Sequence, residues 1–261
     1  MKKLFYFLFF LGIVSCSTSS DDTLGDQQNI ADLEPNKAFV HYMESPKVSS
    51  LQPSWYYTFT YENGRLVKMI GKFVKSESIW SPDSFYSDSF TTLSYHSNKI
   101  EVKFSDNTYY TIVYTMENDR PKKAELYNQF NELITLKTYT YESGKIKIYS
   151  KTYNSLETFY TYYLDSSNNL IKSEKLEKSG GLDKSLTTTT YSNFDTAKNP
   201  FKKLYLLNDN FYEKSLSKNN YRKINYTIQD LQNPEYLPGS GNAEWTYQYD
   251  TSGQIVLYHP L

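Results

Sequence analysis

Catalysis needs nucleophiles, acids and bases at spacings that bring them together, and this chain offers few. Its histidines are His41, His96 and His259, with no short spacing to one another or to a cysteine. Zinc-protease, serine-hydrolase and phosphate-cradling glycine patterns are absent. His96, in Tyr95-His96-Ser97-Asn98, reads as a solvated turn residue. Calcium takes clustered oxygen ligands, and Asp83 with Asp88, or Asp106 with Asn107, is too sparse a set. Glu101, Glu142 and Glu157 are carboxylates that can be named for a glycoside-hydrolysing pair. Such pairs come from distant strands, and nothing in the sequence selects these three. Glu62, Glu142 and Asp250 follow tyrosines at turns, where a carboxylate bonds its own backbone. The expectation is no catalytic residue, no metal site and no cofactor. A hydrolase stays as the alternative, and it would require two carboxylates facing each other across a cleft.

Aromatic residues are the informative feature. With 27 Tyr and 15 Phe, aromatics supply the apolar mass that Leu and Val usually supply. Tyrosine has a flat apolar face and a polar tip, which suits sugar stacking and peptide contacts as well as half-buried sheet faces. Cross-strand packing within a sheet is the simpler reading. Trp55, Trp80 and Trp245 are the candidates for an exposed ligand contact.

The charge balance is close to even, 28 basic against 29 acidic residues. This gives no basic footprint for nucleic acid. The sole cysteine is Cys16, so no intramolecular disulfide forms and packing must hold the fold. Lys2-Lys3 is followed by the apolar run Leu4–Val14, too short to span a bilayer. The run ends in Ile13-Val14-Ser15-Cys16, which resembles a bacterial lipoprotein signal with its lipobox. The resemblance implies cleavage of residues 1–15 and a lipid on Cys16. Cleavage would remove Lys2 and Lys3 and no acid, leaving 26 basic and 29 acidic residues, net −3. Two or more acyl chains hold a protein stably at a membrane, whereas one holds it only marginally. Residues 16–35 are polar and read as a tether. Serines and then acids after the lipid cysteine are similar to the surface-export signals of Bacteroidetes lipoproteins. A merely solvated linker fits the same residues, so cell surface and periplasmic face both stay open.

Residues 36–261 read as one β-domain. Lys137–Ser150 shows the unit: Thr138-Tyr139-Thr140-Tyr141 alternates, Glu142-Ser143-Gly144 turns, and Lys145–Tyr149 alternates again. Period-two alternation on both sides of a glycine turn is a β-hairpin. Similar hairpins are expected over Tyr57–Ile70, Phe90–Phe104, Tyr109–Tyr127, Thr158–Leu176 and Glu244–Tyr258, with single strands at Leu186–Tyr191 and Tyr221–Gln229. Ala38–Tyr42 reads as a short strand and Leu231–Gly241 as a loop. Asn199-Pro200 offers an N-cap with proline at the first helical position, so a helical insertion is expected near 200–217. The fold class is all-β: a curved antiparallel meander of hairpins with one short helical insertion.

The pattern Tyr-x-Tyr-(Asp/Glu)-turn-Gly/Asn-x-(Ile/Leu) occurs at Phe59–Leu66, Tyr139–Ile146 and Tyr247–Ile255. It resembles the YD repeats of the RHS family, which implies successive hairpins of a curved sheet. The chain is too short for the toxin-enclosing shells of that family. The last third, with Asn193-Phe194-Asp195, Asn199-Pro200-Phe201 and Trp245–Gly253, is similar to uncharacterised Bacteroidetes lipoproteins of a domain-of-unknown-function family. That resemblance implies a lipid-anchored protein of the cell envelope and outer membrane, with a non-catalytic binding or scaffold role. Its partners would be the membrane, through Cys16, and a glycan or protein ligand. Glycan-binding accessory lipoprotein is the alternative within binding.

Overall fold

The computed structural model describes residues 33–46, 52, 54–76, 81–105, 110–153 and 156–258. The leader, Cys16, Trp80, Asp106, Asn107 and His259 lie outside them.

Fourteen strands follow one another in chain order as a single antiparallel sheet. They are β1 (Lys37–Phe39), β2 (Tyr56–Glu62), β3 (Arg65–Val74), β4 (Ser84–His96), β5 (Lys99–Phe104), β6 (Thr111–Glu117) and β7 (Arg120–Tyr127). Then come β8 (Leu133–Glu142), β9 (Lys145–Thr152), β10 (Leu156–Leu164), β11 (Leu170–Ser179), β12 (Leu182–Ser192), β13 (Lys223–Asp230) and β14 (Gly239–Glu244). A two-stranded ribbon, β15 (Gln248–Tyr249) and β16 (Ile255–Val256), closes the described chain. The expected hairpins form where alternation meets turn chemistry. Asn63-Gly64, Asn118-Asp119 and Gly180-Gly181 take positive φ at both positions, the two-residue turn whose twist matches that of the flanking strands.

Alternation sorts the two faces. Inward go Phe59 opposite Met69, Leu93 opposite Val102, Tyr114 opposite Ala124, Tyr139 opposite Ile148 and Ile146 opposite Tyr162, all buried. Outward go threonines and charges, with Lys103–Glu101, Lys123–Glu125 and Lys172–Glu174 ion pairs two residues apart on one strand. Such exposed pairs contribute about 0–1 kcal/mol each, so the inner face supplies the stability.

The inner face is filled by the chain itself. Helix α2 (Asp209–Leu216) lies on it. The Phe211 ring meets Tyr57 of β2 edge-on at 6.1 Å, and the next residue, Tyr212, meets Tyr162 of β10 at 6.2 Å. Eight strand steps separate β2 from β10, roughly 38 Å along a flat sheet. Neighbouring side chains on one helix can reach both only because the sheet curls around them. Phe201, Leu204, Leu206, Leu207 and Phe211 are buried in that concavity. The sheet nevertheless stays open, since β1 and β14 do not pair.

Three expectations are corrected. Ala38–Tyr42 is not one strand: β1 ends at Phe39 and helix α1 (Val40–Glu44) follows. Pro200 does not start the helix. Residues 200–207 form successive turns, and Asn208 is the cap, its side chain accepting from Phe211 N at 2.9 Å. Asn199 instead ties this segment together, accepting from Phe201 N and donating to the Lys214 and Ser217 carbonyls. Finally, Gly239–Glu244 is strand β14, where loop was expected up to Gly241.

Candidate functional site

A cleft of about 500 Å³ lies between the inner face of β3–β5 and the start of α2. Tyr57, Met69, Phe73 and Phe104 form apolar walls, and Glu44, Asp209 and Asn210 bring polar groups. Each polar group is held by a different element. Glu44, the last residue of α1, is buried, accepting from the Tyr57 hydroxyl on Oε1 at 2.8 Å and from Asn210 Nδ2 on Oε2 at 3.0 Å. Burial, and then the Glu44 charge, push the Tyr57 hydroxyl pKa well above its usual value, so this phenol stays protonated and donates. Asp209, in the first turn of α2 where the helix dipole favours an anion, accepts from Lys137 Nζ at 2.6 Å.

Behind the cleft, α2 secures α1. Lys214 is buried and donates to the Met43 carbonyl at 2.7 Å, with its ammonium 4.8 Å from the Phe201 ring centre. A cation on the last carbonyls of a helix is favourable. Burial, and then the Lys214 charge, lower the His41 pKa, so the imidazole is held neutral. Gly71 has φ +109°, and a Cβ there would lie 2.5 Å from the Phe85 ring. Glycine is what lets β3 pass this close beside the cleft.

The residues singled out in the sequence do not gather here. Glu101 pairs with Lys103, Glu142 with Lys147, and Glu157 accepts from the Tyr149 hydroxyl, each on a separate strand. Asp250 closes its own turn, accepting from Ser252 N and Gln254 N, and the Ser252 hydroxyl bond leads in lowering its pKa. His96 is exposed in the β4–β5 turn, beside a hollow of about 200 Å³ that Lys202 and Lys203 also border. Lys202 there donates to the Ser215 carbonyl at 2.6 Å, and Lys203 reaches Glu34 and the Gly64 carbonyl. Trp55 is half-buried and stacked on Phe85 at 5.9 Å. Trp245 is only 8% exposed and packs on Tyr221, so it belongs to the core. Glu44, Asp209 and Asn210 were missed; Glu44 and Asn210 lie 166 positions apart, and no local pattern links them.

No protein-family model matches the chain, and no curated protein matches it. The YD-type resemblance therefore rests on the hairpin pattern alone. Among solved structures the chain is similar to a porin-like protein from Bacteroides vulgatus ATCC 8482, at 14% identity and TM-score 0.48, over 77% of this chain and 88% of that one. It is also similar to a porin-like protein from Bacteroides uniformis ATCC 8492, at 14% identity and TM-score 0.47, over 77% and 80%. Likeness of this degree carries over neither family nor activity.

Proposed function

We propose that this is a cell-envelope protein, held to the membrane by lipid on Cys16, that binds a ligand at the α2 cleft without transforming it. The observation that carries the non-catalytic half is the state of the cleft's carboxylates. A general acid or base needs an oxygen free to meet substrate, with a pKa near the working pH. Both Glu44 oxygens are engaged by protein donors, and the Asp209 carboxylate is engaged by Lys137. A pre-formed cleft of this volume with apolar walls is of the size that holds small ligands. Its aromatic walls beside a hydrogen-bonding edge favour a saccharide among ligand classes.

The sheet is not suited to forming a pore wall in lipid. Its outer face carries Lys68, Lys103, Lys123, Lys147 and Lys172, and a lysine facing lipid at mid-membrane costs about 2–4 kcal/mol. The lipid on Cys16 then supplies the stable anchor. Comparing membrane and soluble fractions of cells making the wild type and Cys16→Ala tests the anchor: the wild type should sediment with membranes and lose its fatty-acid label on substitution. Equal label and equal partition of both would reject it. A glycan array on wild type and Phe104→Ala tests the cleft, and binding unchanged by the substitution would reject the cleft as the site.

A further inference from the structure

A meander places its connections alternately at two ends of the sheet, and the two ends differ here. At one end the turns are 63–64, 97–98, 118–119, 143–144 and 165–169, and none carries an exposed large apolar side chain. At the other end Tyr110 precedes β6, Phe130 tips the β7–β8 turn, and Tyr153 follows β9. Leu182 follows the β11–β12 turn, and Leu237 precedes β14. Their exposures are 38%, 72%, 81%, 65% and 94%. The turns do not need these side chains. Asn128 closes its own turn, accepting from Phe130 N and Glu132 N and leaving the Phe130 ring outside, and Asp230 does the same for Gln232 N and Asn233 N.

We propose that this apolar end is a membrane-contact rim, in which Phe130, Tyr153, Leu182 and Leu237 enter the interfacial layer of a lipid surface. Successive hairpins put tips roughly 9–10 Å apart around a curved edge. The register keeps this end nearly level, since Thr135 pairs with Thr152, Lys151 with Glu157, Leu156 with Ser179 and Ser179 with Leu182, so one flat surface can meet the tips together. Tyrosine, phenylalanine and leucine are the residue types that settle at the headgroup boundary.

The anchor is long enough to allow this. Glu34, next to the first described residue, contacts Lys203 beside Gly64, so the chain enters at the polar end. The roughly 17-residue stretch from Cys16 to Leu33 spans at most about 58 Å, against about 30–44 Å for the longer strands. A lipidated Cys16 and the far rim can therefore rest on one membrane. This inference rests on the envelope placement proposed above, and its test separates the two.

The mature chain with Cys16→Ser, and so without lipid, is sedimented with vesicles of phosphatidylethanolamine and phosphatidylglycerol. It should bind. The triple variant Phe130→Asp, Leu182→Asp, Leu237→Asp should bind about tenfold or more weakly. Ser97→Asp, Ser143→Asp, Ser166→Asp, the same charge change at the polar end, should leave binding nearly unchanged. Circular dichroism confirms that both variants are folded. The rim is overturned if the parent chain does not bind, if the tip variant binds like the parent, or if both triples weaken equally. Loss of the rim with Cys16 still lipidated in cells leaves the anchor standing. Vesicle binding with Cys16 unmodified in cells removes the anchor and keeps the rim.

Discussion

Replacing Phe211 with alanine removes the ring on which α2 is seated. Phe211 is fully buried, 6.1 Å from Tyr57 of β2 and 6.1 Å from Phe201 of the turn segment. Losing its transfer free energy costs roughly 2–3 kcal/mol. Losing two ring contacts adds about 0.5–1 kcal/mol each. The expected loss is about 3–5 kcal/mol, the usual range for a buried phenylalanine truncated to alanine. At an m-value near 2–3 kcal/mol/M, the urea midpoint should fall by roughly 1–2.5 M. Phe130→Ala, at a ring 72% exposed, is the control and should stay within about 0.5 kcal/mol. Urea unfolding followed by circular dichroism measures both. A Phe211→Ala loss below about 1 kcal/mol would mean that the sheet does not depend on the insertion it encloses, and the description of the core would fail.

Gly71→Ala should destabilise by about 2–4 kcal/mol, from positive φ and from the Cβ forced against Phe85, read by thermal melting. Asn199→Ala deletes three buried hydrogen bonds and should lose about 2–4 kcal/mol, and Asn199→Asp, which keeps the acceptor but sets an oxygen against two carbonyls, should lose at least as much. The buried tyrosines Tyr57, Tyr114, Tyr139, Tyr162, Tyr191 and Tyr221 have pKa values raised chiefly by burial. A raised pKa means the unfolded chain releases protons first, so their contribution is complete below the unfolded value near 10 and is lost as pH climbs above it. Tyrosinate absorbance should therefore appear together with loss of the β-sheet signal in one cooperative step. A gradual titration of a still-folded chain would contradict the burial.

The hairpins were legible because alternation and turn glycines state the same thing twice: Tyr139 and Tyr141 point inward on one side of Gly144, and Ile146 and Ile148 on the other. What was misread depends on distant partners. β14 is Gly-Ser-Gly-Asn-Ala-Glu, poor in strand formers, and β13 recruits it through the backbone ladder. The Tyr226 ring lies over Gly241, where a Cβ would collide with its hydroxyl. Val40 still donates to the Trp55 carbonyl in the β1–β2 register while α1 already begins there, and no local pattern announces that change. Pro200 fits a helix start, yet Asn199 spends its side chain on Phe201 N, Lys214 and Ser217 and ties a run of turns to the far end of α2. The cleft was unreadable for the same reason, since its polar edge joins the end of α1 to the start of α2.

Mass spectrometry of the mature N-terminal peptide from native membranes bears most directly on the central functional claim. The account predicts a peptide that begins at Cys16 and carries diacylglyceryl on its sulfur, with none beginning elsewhere. A free thiol on Cys16, or a mature chain starting at another residue, would contradict it.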